Sequence, residues 1–121
     1  MFNSLFNLKF LHLRENQLTS LPAGVFFNFK DLKEIVLYKN QLTTLDENIF
    51  SKNQKLEKIK LWNNKITKLK PKIFDNKSNL VYIDLKNNLC ISKSYGSDNS
   101  ISYLTNDEII ELKSDVDKNC S

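Results

Sequence analysis

Tyr38 and Trp62 stand 24 positions apart in matching surroundings, "VLYKN" and "KLWNN", with Arg14 a further 24 residues before and Lys86 a further 24 after. Tyr, Trp and Arg dominate binding hot spots, because a rigid aromatic anchor can be desolvated by a partner. A patch centred on Tyr38 and Trp62 and rimmed by Arg14, Lys58, Lys60 and Lys86 would serve recognition. A plainer role is equally open: aromatics suit exposed sheet surfaces, and stacking beside lysine or arginine is itself favourable. Catalysis has far less to work with. The chain has a single histidine, His12, and lacks a Gly-rich phosphate loop, G-x-S-x-G and H-E-x-x-H. His12 could pair with Glu34, as an ordinary surface pair. The expectation is a protein that is not an enzyme and needs no cofactor.

Composition narrows the field further. Hydrophobic residues make up 40% of the 121 positions, enough for a packed core, and only two Gly and two Pro leave no room for flexible linkers. The net charge of +4 is nearly all lysine, Arg14 being the sole arginine, and acidic residues are interleaved throughout. That pattern reads as a solvated surface and gives no nucleic-acid footprint. No apolar run approaches the ~18 residues of a membrane span, and the N-terminus lacks the pattern of a signal peptide.

The elements that position Tyr38 and Trp62 come from an internal repeat. Leu8, Leu32, Leu56 and Leu80 step by 24; so do Leu13, Leu37, Leu61 and Leu85; Asn16, Asn40, Asn64 and Asn88; and Phe2, Phe26, Phe50 and Phe74. The units read "LKFLHLRENQLTSLPAGVFFNFKD", "LKEIVLYKNQLTTLDENIFSKNQK" and "LEKIKLWNNKITKLKPKIFDNKSN", and a fourth begins "LVYIDLKNNLC". Within each, x-L-x-L-x alternation predicts a short strand with its leucines inward. Stacking the units pairs these strands in parallel and fuses the leucines into one core. The asparagine ladder is expected to turn the chain out of the strand while its amide satisfies backbone groups.

Leu8, Leu11, Leu13, Asn16 and Leu18 spell L-x-x-L-x-L-x-x-N-x-L, and each later unit repeats it. On these residues the chain resembles the leucine-rich repeat family over roughly residues 2–90. Its 24-residue period with a phenylalanine on the far side is similar to the subclass common in extracellular proteins, including Toll-like ectodomains and secreted insect members. The resemblance implies an α/β repeat solenoid, a fragment of a horseshoe with short parallel strands on the concave face. Residues 1–89 would hold a partial first unit, three full units and the start of a fourth; residues 90–121 would form a C-terminal helical cap. The phenylalanines would fill the convex side. There the apolar position three residues after the phenylalanine, Leu5 and Phe29, becomes Asn53 and Lys77, so the later units are expected to be looser and wetter.

Outward slots of the strands form columns spaced about 4.8 Å per neighbour. They are Phe10, Glu34, Lys58, Tyr82; then His12, Val36, Lys60, Asp84; then Arg14, Tyr38, Trp62, Lys86; then Glu15, Lys39, Asn63, Asn87. In a solenoid this concave sheet is open to a partner. Its charges are mixed with a modest positive excess, which favours an anionic or mixed-charge protein ligand.

Two ends need separate readings. At the front, Leu8, Leu11 and Leu13 would meet solvent with no cap before them, which raises the expectation that the chain continues a longer one. At the rear, "KSYGSDNS" reads as a loop and "TNDEIIELKSDVDK" as a short helix capped by Thr105 and Glu108, with Ile109, Leu112 and Val116 on one face. Cys90 and Cys120 flank this segment. Its resemblance to the C-terminal cap of extracellular repeat proteins implies a Cys90–Cys120 disulfide, stabilising by about 3.5 kcal/mol through loop closure; two reduced thiols are the alternative. Two thiols and His12 do not make a closed metal site. Asn76-Lys77-Ser78 and Asn119-Cys120-Ser121 match the N-glycan sequon, the second doubtful because its middle residue would be bridged.

The resemblance implies an extracellular recognition module, secreted or on the cell surface, of receptor, adhesion or innate-immunity type. It would bind a protein or peptide on its concave face and touch a membrane only through segments outside this chain. An intracellular adaptor with reduced cysteines and a matrix spacer are the competing readings.

Overall fold

The computed structural model describes residues 7–121; Phe2 and Leu5 lie outside them. Four three-residue strands, β1 (Phe10–His12), β2 (Glu34–Val36), β3 (Lys58–Lys60) and β4 (Tyr82–Asp84), pair in parallel and in sequence order. Their register advances by the repeat length, so Leu11 faces Ile35, Ile35 faces Ile59 and Ile59 faces Ile83. A period of 24 thus becomes a stack whose inward strand column is aliphatic throughout, while the outward columns vary from unit to unit.

Behind the sheet lies the core. Leu32, Leu56 and Leu80, Ile35, Ile59 and Ile83, Leu37, Leu61 and Leu85, and Leu42 and Ile66 are all fully or almost fully buried. Each such side chain contributes roughly 1.5–3 kcal/mol of transfer free energy, so a cavity at Leu61 (Leu→Ala) would cost about 2–5 kcal/mol. Leu11 in β1, and Leu13, Leu18 and Leu21 after it, are only partly buried. On the convex side Phe26 and Phe50 stack with ring centroids 6.1 Å apart, and Phe74 is buried beyond them. The later return segments are turns, with a short 3-10 helix at Pro71–Phe74.

Backbone groups at each strand exit are satisfied by the asparagine ladder. Asn64 Nδ2 donates to Leu37 O (2.8 Å) and Leu61 O (3.1 Å), while its Oδ1 accepts from Leu42 N (3.2 Å). Asn40 and Asn88 make the same reach back to the preceding unit, at Leu13 O and Leu61 O. Asn16 is exposed, and its side chain makes no such bond among the described residues. The residue just before each asparagine makes the turn itself: Glu15, Lys39, Asn63 and Asn87 all have φ between 56° and 60°. That left-handed backbone suits Asn far better than Glu or Lys.

The expectation of a looser, wetter convex side fails at the residues on which it rested. Asn53 is completely buried, and its Nδ2 donates to Phe26 O and Phe29 O of the preceding turn. It replaces an apolar contact with two hydrogen bonds to carbonyls that already accept the amides of Phe29 and Leu32, filling their second lone pairs. Lys77 is also buried, its ammonium donating to Asp75 O at 3.0 Å, and desolvation holds its pKa below the ordinary lysine value. A cleft of about 550 Å³ does open beside it, between Phe74 and Leu80 on one wall and Leu104 and Ile109 on the other.

The tail departs from its reading as a loop. Ser94–Gly96 forms β5, antiparallel to β4, with Ile83 opposite Tyr95 and Tyr82 opposite Gly96. Helix α1 (Asn106–Asn119) carries the expected capping box of Thr105 and Glu108, and buries Leu112 and Val116, with Ile109 partly buried, over the end of the core. Cys90 and Cys120 form the expected disulfide, Cα atoms 5.2 Å apart. Cys120 O accepts from Leu69 N, joining the helix terminus to the last full repeat. No helix among the described residues is long and apolar enough to cross a membrane.

Candidate concave binding face

Beyond the strands the hydrogen-bond ladder continues through Glu15 N to Tyr38 O, Lys39 N to Trp62 O and Asn63 N to Lys86 O. That extension holds Arg14, Tyr38, Trp62 and Lys86 in one row. Tyr38 and Trp62 meet edge to face, centroids 5.4 Å apart at 83°. Arg14 lies over the Tyr38 ring at 5.8 Å and Lys39 over the Trp62 ring at 5.4 Å. Both rings are half-buried, and burial, helped by Asp84, Asp98 and Glu34, pushes the Tyr38 phenol up to about 12.

A second cluster lies on the strands themselves. His12 Nε2 is 2.7 Å from Glu34 Oε2, and Glu34 is 3.7 Å from Lys60. Lys60 donates to Asp98 Oδ2 at 2.9 Å; Lys58 donates to the Asp98 backbone carbonyl at 2.7 Å and lies 3.0 Å from Oδ1. These partners hold the Asp98 carboxyl below the ordinary Asp value, the Lys60 hydrogen bond being the largest cause. Asp98 belongs to the tail, some 40 residues from Lys58. It is the residue that sequence reasoning missed, because nothing local marks a Ser/Asn-rich segment as crossing β3.

The predicted columns are thus only partly a surface. Phe10 is 60% exposed, and His12, Arg14 and Lys86 are exposed. Lys58 and Lys60 are half-buried under the tail segment. Tyr82, Val36 and Asp84 are buried. Tyr82 is covered because β5 continues the sheet beside it, and burial pushes its phenol up to about 12. Asp84 Oδ1 accepts from Lys86 N at 3.1 Å. Asn76 is exposed on the convex side, in a turn with φ 58°. Among the described residues no group of three or more His, Cys, Asp or Glu could hold a metal ion.

No curated protein matches the chain. A solved structure described as the Toll–Spatzle complex, "a molecular hub in Drosophila development and innate immunity", is similar at 22% identity and a TM-score of 0.42. The match covers 73% of this chain and spans 18% of the length of that one. The family model for the leucine rich repeat matches residues 6–60 and 54–97, most of the chain. Such domains serve as protein–protein interaction modules. The chain belongs to the leucine-rich repeat family.

Proposed function

We propose that this chain is a recognition module of an extracellular protein, binding a protein or peptide ligand on its concave face. Residues 1–89 carry the binding array and residues 90–121 close its end. The observation that carries this reading is the Tyr38–Trp62 pair, two half-buried aromatics clamped by Arg14 and Lys39 on the concave side. A partner closing over them would complete their desolvation without first having to order them. Binding, with no chemical step or cofactor, is the whole activity. The interleaved charge of the face favours a protein over a nucleic acid. The Cys90–Cys120 bond supports the extracellular setting, since disulfides persist in oxidising compartments. Asn76 stands where a glycan would leave the concave face open.

Selection of a random-peptide display library on the intact chain tests the binding reading. Enriched peptides should lose at least tenfold in affinity on Tyr38→Ala or Trp62→Ala, the loss typical of a hot spot. Peptides that bind these variants as well as the parent chain would overturn it. Setting is tested separately: in protein from its native source, Cys90 and Cys120 should resist alkylation until reductant is added, and ready alkylation would favour an intracellular adaptor.

A further inference from the structure

Resting on the concave-face reading, we infer that the partner presents an extended acidic segment with two carboxylates about four residues apart, gripped by Arg14 and Lys86 across the Tyr38–Trp62 pair. The argument starts from which cations remain available. On the concave face Lys58 and Lys60 are bound to Asp98, and Lys39 lies 3.5 Å from Glu15. Among the described residues, the side chains of Arg14 and Lys86 have no ion-pair partner, although both are exposed. Carboxylates of this face are committed: Glu34 to His12 and Lys60, Asp84 to the Lys86 amide, Asp98 to both lysines. Local pairing therefore leaves the positive excess at the two ends of the aromatic row.

The spacing then selects the partner. Arg14 and Lys86 sit three strand intervals apart, about 14 Å. An extended chain rises about 3.4 Å per residue, so side chains four residues apart match that span and point to the same side. The residue midway between them would lie over the edge-to-face junction of Tyr38 and Trp62, where an apolar side chain fits. Arg14 can stack on Tyr38 and still present its N–H edge to a carboxylate. The tail segment around Asp98 walls off the strand-centred half of the face, leaving the aromatic row as the open track.

The same display selection decides the matter, read by fluorescence of Trp62, the chain's one tryptophan. Trp62-dependent peptides should carry Asp or Glu pairs separated by three residues, with an apolar residue between. Arg14→Gln and Lys86→Gln should each weaken them about fivefold, and the affinity should fall with added salt. Lys52→Gln, on the convex side, should leave it unchanged. Asp98→Asn should change it less than about twofold; a marked gain would mean the acids use Lys58 and Lys60 instead, which overturns the assigned footprint. Peptides that need Trp62 but ignore Arg14 and Lys86 would sink this inference and leave the binding face standing. A library yielding no Trp62-dependent peptide sinks both.

Discussion

Asp98 and Lys60 are 38 residues apart in sequence and 2.9 Å apart in space, carboxylate to ammonium. The contact seats the tail on the concave side of the sheet and fixes which part of that side stays open. Replacing the carboxylate tests its worth. The Asp98 pKa is depressed in the folded chain, so its stabilisation is present above the unfolded Asp value near 4 and disappears as pH falls through the lower folded value. Asp98 is 45% exposed, so solvent screening limits the effect. Asp98→Asn should destabilise by less than about 1 kcal/mol at pH 7, and the gap should narrow as pH is lowered below the unfolded Asp value near 4, measured by urea titration at neutral and acid pH. A gap that persists in acid would assign the effect to something other than the ion pair.

Asn64 and Asn16 hold equivalent repeat positions with different duties. Asn64 is buried and makes three bonds to backbone, whereas Asn16 is exposed. Asn64→Ala should cost about 3 kcal/mol or more, because it strands buried backbone groups, and Asn16→Ala less than about 1 kcal/mol. Thermal or urea unfolding of the pair checks this; equal losses would remove the burial argument.

Gly96 is where β5 can bear no side chain. Its φ is +78°, and a Cβ there would lie 2.1 Å from Val81 O and 2.6 Å from Leu104 Cδ2. Gly96→Ala should detach β5 from β4 and cost at least about 2 kcal/mol. Hydrogen exchange should show faster exchange at the β4–β5 amides, while the amides linking β1, β2 and β3 stay protected. Unchanged protection in β4 would contradict the close approach.

Opening the Cys90–Cys120 ring, with Cys90→Ala and Cys120→Ser together, should lower stability by about 3–4 kcal/mol through loop entropy. The loss should appear first as fraying of α1, whose C-terminus the bond ties to the last repeat. Differential scanning calorimetry with and without reductant measures it, and a parent chain insensitive to reductant would remove the bond from the stability account.

The sequence by itself determined the stack. A 24-residue period repeated at leucine, asparagine and phenylalanine leaves one economical arrangement, because each unit can bury its apolar stripe only against the next. The same periodicity brought Tyr38 beside Trp62 and Arg14 beside Tyr38, contacts legible as columns before any coordinate. Helix α1 was legible too, through its capping box and the spacing of Ile109, Leu112 and Val116. Tertiary structure decided what lies outside the period. Tyr82 alternates like an outward residue, yet it is buried, because "KSYGSDNS" supplies an antiparallel strand beside it. Asn53 looks like a solvent-facing lapse in the pattern, yet it is buried on the carbonyls of Phe26 and Phe29. Asp98 reaches Lys58 and Lys60 only after the chain has folded back past the last repeat. Periodic contacts repeat a local rule and can be read from spacing; a single long-range closure has no second copy to reveal it, and its partner is set only by where the packed core leaves the chain.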